Sequence, residues 1–112
     1  MTNEIEKRFL SLPVEDRETI ISYGASIRLT ILKKRLFLAE QKIRNFEVRY
    51  KTTLRAIEAE GIPDDASYEF HEDYVEWHHW EAVVKKCKQE ISSIQAIAQQ
   101  GVHIEEYCNV SC

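Results

Sequence analysis

Several groups of side chains in this sequence have types and spacings that chemistry could use. Glu76-Trp77-His78-His79 contains one Glu-x-x-His pair. Carboxylate-bridged di-metal bundles use two such motifs plus two further glutamates on facing helices, because each metal needs an imidazole nitrogen and bridging oxygens. A single motif requires a second copy of the chain, with Glu40 or Glu47 as the extra carboxylate. At ~100° per residue, however, His79 lies more than a quarter-turn from the centre of the apolar seam, and Glu76 lies at its edge. The pair reads as solvated flank residues, and no metal or cofactor is expected. His71, His78 and His79 alternate with Tyr74, Trp77 and Trp80, a set of rings that could cage a cation. At helical spacing such rings more often pack against each other, so Trp77 and Trp80 are expected as core anchors. Cys108-x-x-x-Cys112 with His103 offers three soft ligands where a structural zinc site presents four. Incidental thiols on a flexible tail, residues 102–112, are the simpler reading. No Gly-rich phosphate loop, Gly-x-Ser-x-Gly elbow or paired nucleophile and base occurs, so no enzyme is expected.

The elements that must position these residues are helices. Leu12-Pro13-Val14-Glu15-Asp16 places a proline near a first helical turn, with acids where the dipole favours them. From there Ala25, Leu29, Leu32, Leu36, Ala39, Ile43, Phe46 and Tyr50 recur at alternating spacings of four and three, a heptad seam with Leu29 at a and Leu32 at d. The spacing predicts a helix over residues 14–50, roughly 55 Å long at ~1.5 Å per residue. Thr52 or Thr53 can cap a short continuation through Leu54 and Ile57, which Gly61-Ile62-Pro63 closes. A second seam, Trp77, Trp80, Val84, Cys87, Ile91, Ile94 and Ala98, predicts a helix over 72–100 that ends at Gly101. Residues 1–101 are read as one helical hairpin domain.

Charge suggests how the two long helices meet. Residues 1–55 carry 12 Lys and Arg against 7 Asp and Glu, while 56–112 carry 3 against 12. The first seam has basic g positions Arg28, Arg35, Lys42 and Arg49; the second has Glu76 and Glu90 at g and Lys88 at e. In an antiparallel pair, Arg49 faces Glu76, Arg35 faces Glu90 and Glu40 faces Lys88. Each exposed pair contributes only ~0.2–1 kcal/mol, enough to select a register but too little to hold the hairpin. The expected fold is therefore all-α: a long antiparallel, coiled-coil-like hairpin with a short connecting helix. Ile20, Ile21, Ile27, Ile31 and Leu38 lie off the first seam, and Tyr74, Val83 and Ile97 off the second. The apolar faces are too wide for one partner helix, so association into a four-helix bundle is expected.

Composition narrows the classes of function. The chain has 112 residues and a net charge of -4, with 44% hydrophobic and 30% charged residues, the balance of an ordered soluble domain. No apolar run approaches the ~18 residues of a membrane span. The charged start and three unpaired-looking cysteines point to a cytoplasmic, reduced protein. Lys34, Arg44, Lys51 and Arg55 remain free of the proposed register and could meet phosphates, but the acidic half would repel DNA.

Phe46-Glu47-Val48-Arg49-Tyr50 gives the pattern F-E-x-[KR]-Y at the end of the long helix. Leu54 and Ile57, the acidic turn Asp64-Asp65, then Glu72-Asp73-Tyr74-Val75-Glu76-Trp77 and Trp80-Glu81 follow it. Together with Leu12-Pro13, these motifs cover most of residues 10–98. They resemble a loose group of small, mostly uncharacterised helical proteins of bacteria and archaea, some of which are the antitoxin-like partner of a toxin. The motifs are packing motifs and carry no catalytic residue, and the Cys-bearing tail has no counterpart in the pattern. The resemblance implies a non-enzymatic module that binds and neutralises a partner protein; the alternative is a self-associating homodimeric scaffold. Leu36, Ile43, Phe46, Tyr50, Trp77, Trp80 and Val84 are the residues expected to close the hairpin or to touch that partner.

Overall fold

Four helices account for residues 2–100, the part of the chain that this computed structural model describes: α1 (Thr2–Leu10), α2 (Val14–Tyr50), α3 (Leu54–Glu60) and α4 (Tyr68–Gln100). The fold is all-α, with a hairpin-like arrangement of its long helices. The expectations for residues 101–112, including His103, Cys108 and Cys112, fall outside the described residues. α2 starts where the proline signal put it: the Pro13 carbonyl accepts the first helical bond from the Arg17 amide at 3.1 Å. Arg17 Nε also donates to the Leu12 carbonyl at 3.1 Å, tying its guanidinium back across the helix start.

The connection between the long helices is built from caps. α2 ends at Tyr50, and the next residue, Lys51, has a φ of 54° that puts a non-glycine residue in the left-handed region. Thr53 caps α3, its hydroxyl accepting from the Ala56 amide at 3.1 Å. Gly61, at φ 83°, terminates α3 and donates its amide to the Ile57 carbonyl at 2.8 Å. α4 then begins at Tyr68, four residues before the sequence expectation. Ser67 starts it: its hydroxyl accepts from the Phe70 amide and its carbonyl from the His71 amide, both at 3.1 Å. The apolar period hides this first turn because Asp73 occupies the seam position ahead of Trp77. α1 was not anticipated at all. It shows only a weak apolar face, Ile5 and Phe9, and an Arg8–Glu4 pair one turn apart at 3.0 Å.

The chain divides into two compact units, one made of Leu32–Glu90 and the other of the segments on either side. In the first, Ile43 and Phe46 from α2, Leu54 and Ile57 from α3 and Trp77 from α4 form the core, with Tyr50, Ile62, Phe70, Tyr74, Trp80 and Val84 packed against it. Phe46 stacks on Trp77 at 5.5 Å between ring centroids, while Arg49 bonds Asp73 at 2.7 Å. Three residues later on α2 is four residues earlier on α4, so the two strands of this hairpin run antiparallel. Leu32, Ala39 and Cys87, also in this unit, are buried. In the second unit Ala25 is buried, and Leu29, Ile91, Ile94 and Ala98 are half-buried. Every described position of both seams is thus at least half-buried, as a heptad pattern requires.

Candidate functional site

The seam residues singled out from the sequence lie inside the hairpin. Ile43, Phe46 and Trp77 are buried, Trp77 completely; Tyr50, Trp80 and Val84 are half-buried against the same cluster. Leu36 is half-buried one layer away. Apart from Leu36, these side chains belong to or pack against the protein's own core cluster. α3 is part of the reason: by carrying Leu54 and Ile57 onto the rings, it covers a face that two helices alone would leave open.

A polar clamp sits at the edge of that core. The Tyr50 hydroxyl and Arg49 both donate to Asp73 Oδ2. Tyr50 also stacks on Trp77 at 6.0 Å and meets Phe70 edge-on at 5.2 Å, and Arg49 lies 5.8 Å from the Phe46 ring centroid. The hydrogen bond from Tyr50, reinforced by Arg49, holds the Asp73 carboxyl below the usual range. Burial, with Asp73 alongside, pushes the Tyr50 phenol up, and the bond to Asp73 raises Arg49 further. Arg49 therefore pairs with Asp73 rather than with Glu76, which is exposed one turn further on. The aspartate wins because it stands on the seam, within reach of the phenol as well as the guanidinium. Glu40 and Glu90 are half-buried, Arg35 is exposed, and Lys88 lines the cleft beside α3.

Of the histidines, His78 reaches across to α3, its Nε2 3.0 Å from Glu58 Oε1. Both line an open cleft of about 670 Å³ between α3 and α4, together with Arg55, Glu81, Val84 and Lys88. Burial, then Glu47 and Glu58, pushes the Glu81 carboxyl up. His79 lies against the Trp80 ring at 5.1 Å, and no three His, Cys, Asp or Glu side chains among the described residues gather as a metal site. His71, Glu72, Glu76 and His79 instead frame exposed Tyr68 and Val75 on the outer face of α4.

The surface with the largest physical consequence is apolar. Fifteen large hydrophobic side chains are exposed among the described residues, against nine buried hydrophobic ones. Nine of the fifteen are on α2: Val14, Ile20, Ile21, Tyr23, Ile27, Ile31, Phe37, Leu38 and Val48. The off-seam isoleucines and Leu38 were legible in the sequence; Tyr23 and Phe37 were missed, because an aromatic ring beside basic residues looks like ordinary helix surface. Between Thr19 and Ala39, α2 has no acidic residue. No helix among the described residues is long and apolar enough to cross a membrane. Compared with protein-family models, curated proteins and solved structures, the chain matches none.

Proposed function

We propose that this chain is a non-enzymatic protein-interaction module of antitoxin-like type, which acts in the cytoplasm by covering the surface of a cognate partner protein. One observation carries the reading: the chain closes its core with the seams and α3, yet among the described residues it leaves more large apolar side chains exposed than it buries. Exposed apolar surface on this scale has its use in association, because water penalises it at about 25 cal/mol per Å². The outer face of α4 suits a partner, with Tyr68 and Val75 as apolar anchors between Glu72 and Glu76. Its acidic surroundings favour a basic protein surface and disfavour nucleic acid. Such a partner is inhibited by occlusion, which needs shape and burial and no reacting group. The resemblance in the F-E-x-[KR]-Y and E-x-W segments is what supports the antitoxin class for this reading.

Affinity purification from the native host, read by intact mass, tests the proposal. A second small protein at near-equal molar amount is expected, and it should be lost from a Tyr68→Lys, Val75→Lys variant that keeps the wild-type helical content. Recovery of the 13.2 kDa chain alone would overturn the reading. The second reading, a self-associating scaffold in which two copies bring four long helices together as a bundle, is favoured by the apolar outer face of α2.

A further inference from the structure

Seen along its axis, α2 has a second apolar face. Ile20, Tyr23, Ile27, Ile31, Phe37 and Leu38 are 50%, 70%, 63%, 45%, 60% and 50% exposed. At ~100° per residue they fall within an arc of about 120°, centred nearly opposite the seam. This stripe runs roughly 27 Å along the helix at ~1.5 Å per residue. Lys33 and Arg44 border one edge of it, Arg35 and Lys42 border the other, and Lys34 stands on its midline. All five are exposed except Lys42, which is half-buried. The acids lie elsewhere. From Thr19 to Tyr50 the only acidic residues are Glu40 and Glu47, both half-buried on the seam side.

A face that is apolar along the middle and cationic at both margins matches the layers of an anionic bilayer surface. We propose that α2 lies in the plane of a membrane interface, with its stripe at the boundary between the headgroups and acyl chains of an anionic leaflet. A helix lying on its side sinks its midline deepest, ~5–10 Å for an interfacial helix, and holds its margins at the headgroups. The order of side chains around α2 follows that gradient. Ile20, Tyr23, Ile27 and Leu38 lie nearest the midline, Ile31 and Phe37 come next, and the four bordering cations are outermost, level with the lipid phosphates. Lys34 is the exception, and its long stem brings the ammonium back up to the headgroups. A nucleic acid would meet the same cations but has nothing apolar to receive six large side chains. A protein would need an acid-rimmed groove shaped to the whole ridge, whereas a fluid bilayer needs no preformed shape.

The remaining charge acts in the same direction. Within residues 32–90, α4 packs on the seam side of α2, with Phe46 stacked on Trp77. Glu72 and Glu76, on the outer face of α4, therefore lie across the core from Phe37 and Leu38. An anionic surface attracts the side with the stripe and repels the opposite one, which orients the molecule before contact. Asp16, one turn ahead of Ile20, marks where the contact ends. This inference goes beyond the partner reading and does not depend on it, since the outer face of α4 stays free for the cognate protein. The self-associating scaffold needs the same face of α2 and is an outcome of the test.

Co-sedimentation of the full chain with vesicles of equal parts phosphatidylcholine and phosphatidylglycerol supplies that test. The chain should pellet with them, bind phosphatidylcholine alone at least ~10-fold more weakly, and be released as salt rises from ~0.1 to ~0.5 M. Ile27→Glu should lower the partition at least ~30-fold, because it puts a carboxylate where the helix sinks deepest. The double variant Lys33→Gln, Arg35→Gln should lower it ~10-fold. Both variants should keep the wild-type helical content and melting temperature without lipid, because the substituted side chains are exposed. Lipids brominated on their acyl chains should quench the fluorescence of Tyr23→Trp more than that of the wild type, whose Trp77 is buried in the core. A chain that stays in the supernatant with anionic vesicles overturns the inference. So does binding that is equal on phosphatidylcholine or that survives Ile27→Glu. A dimer that forms in place of vesicle binding would give the stripe to a second copy and overturn it as well. None of these results touches the partner reading, which stands or falls on the co-purified protein and the Tyr68→Lys, Val75→Lys variant.

Discussion

Asp73 decides how the turn end of the hairpin is held. It accepts from Tyr50 on the rim of the aromatic core and from Arg49 at the surface. The two ionisations bracket the stability of this contact. With its folded pKa below the unfolded value of ~3.9, Asp73 contributes stability that is complete above that value and is lost as pH falls through the folded one. Tyr50, raised above ~10, contributes as the neutral donor and loses its share as pH rises through the higher folded value. Melting temperature against pH should therefore fall more steeply below about pH 4 in the wild type than in Asp73→Asn. At neutral pH that variant should be less stable by about 1 kcal/mol, a discounted figure because water reaches part of the clamp. Parallel acid limbs in the two proteins would contradict this account. Lys51 is the other residue under local stress, since an L side chain at φ 54° pays a steric cost that glycine avoids. Lys51→Gly should raise the urea midpoint by the equivalent of about 1 kcal/mol.

At the scale of elements, the short helix α3 has the least intrinsic support and a large structural effect. Its seven residues are too few to be helical alone, so the Thr53 cap and the burial of Leu54 and Ile57 must hold it. Thr53→Ala should cost about 1 kcal/mol and Thr53→Ser much less. Chemical denaturation of both, with the aromatic core read by tryptophan fluorescence, checks this; equal losses would mean that the hydroxyl bond is not the cause. The sequence carried this helix plainly, because a threonine before Leu54 and a glycine after Glu60 are local signals. It carried the ends of α2 for the same reason, in Pro13 and in the last seam residue, Tyr50. The start of α4 was hidden by a tertiary effect: Asp73 interrupts the apolar period and is welcome there only because Tyr50 and Arg49 arrive from another helix. The same effect misled the choice of partner for Arg49, where flank positions pointed to Glu76 and geometry selects a seam residue. The candidate site was half legible. Periodicity distinguishes seam from off-seam positions, but only packing shows that α3 closes over Phe46 and Trp77 and leaves the outer faces of α2 and α4 bare.

For the whole molecule, stability and association are one problem. A chain of 112 residues with nine buried hydrophobic side chains in its described part has a small core, and small cores leave marginal stability. Some of that core is also compromised: the indole N–H groups of Trp77 and Trp80 are buried without a hydrogen-bond partner among the described residues. An unmade bond of this kind costs ~1–3 kcal/mol, set against the large area the rings bury. The exposed stripe of α2 is the remaining reserve of apolar burial, and it becomes available only when something covers it. Linkage then requires that whatever binds the folded chain also stabilises it, in proportion to the logarithm of its concentration. The melting temperature of the wild type should accordingly rise by several degrees as anionic vesicles are added from the micromolar to the millimolar range of lipid, since ~1 kcal/mol moves a domain of this size by roughly 4–8 °C. In Ile27→Glu that slope should flatten while the lipid-free melting temperature stays close to wild type, because Ile27 contributes little to the isolated fold at 63% exposure. A wild-type melting temperature that ignores anionic lipid would place the whole of the stability within the chain itself, and the bare face of α2 would then have to be explained by a different partner.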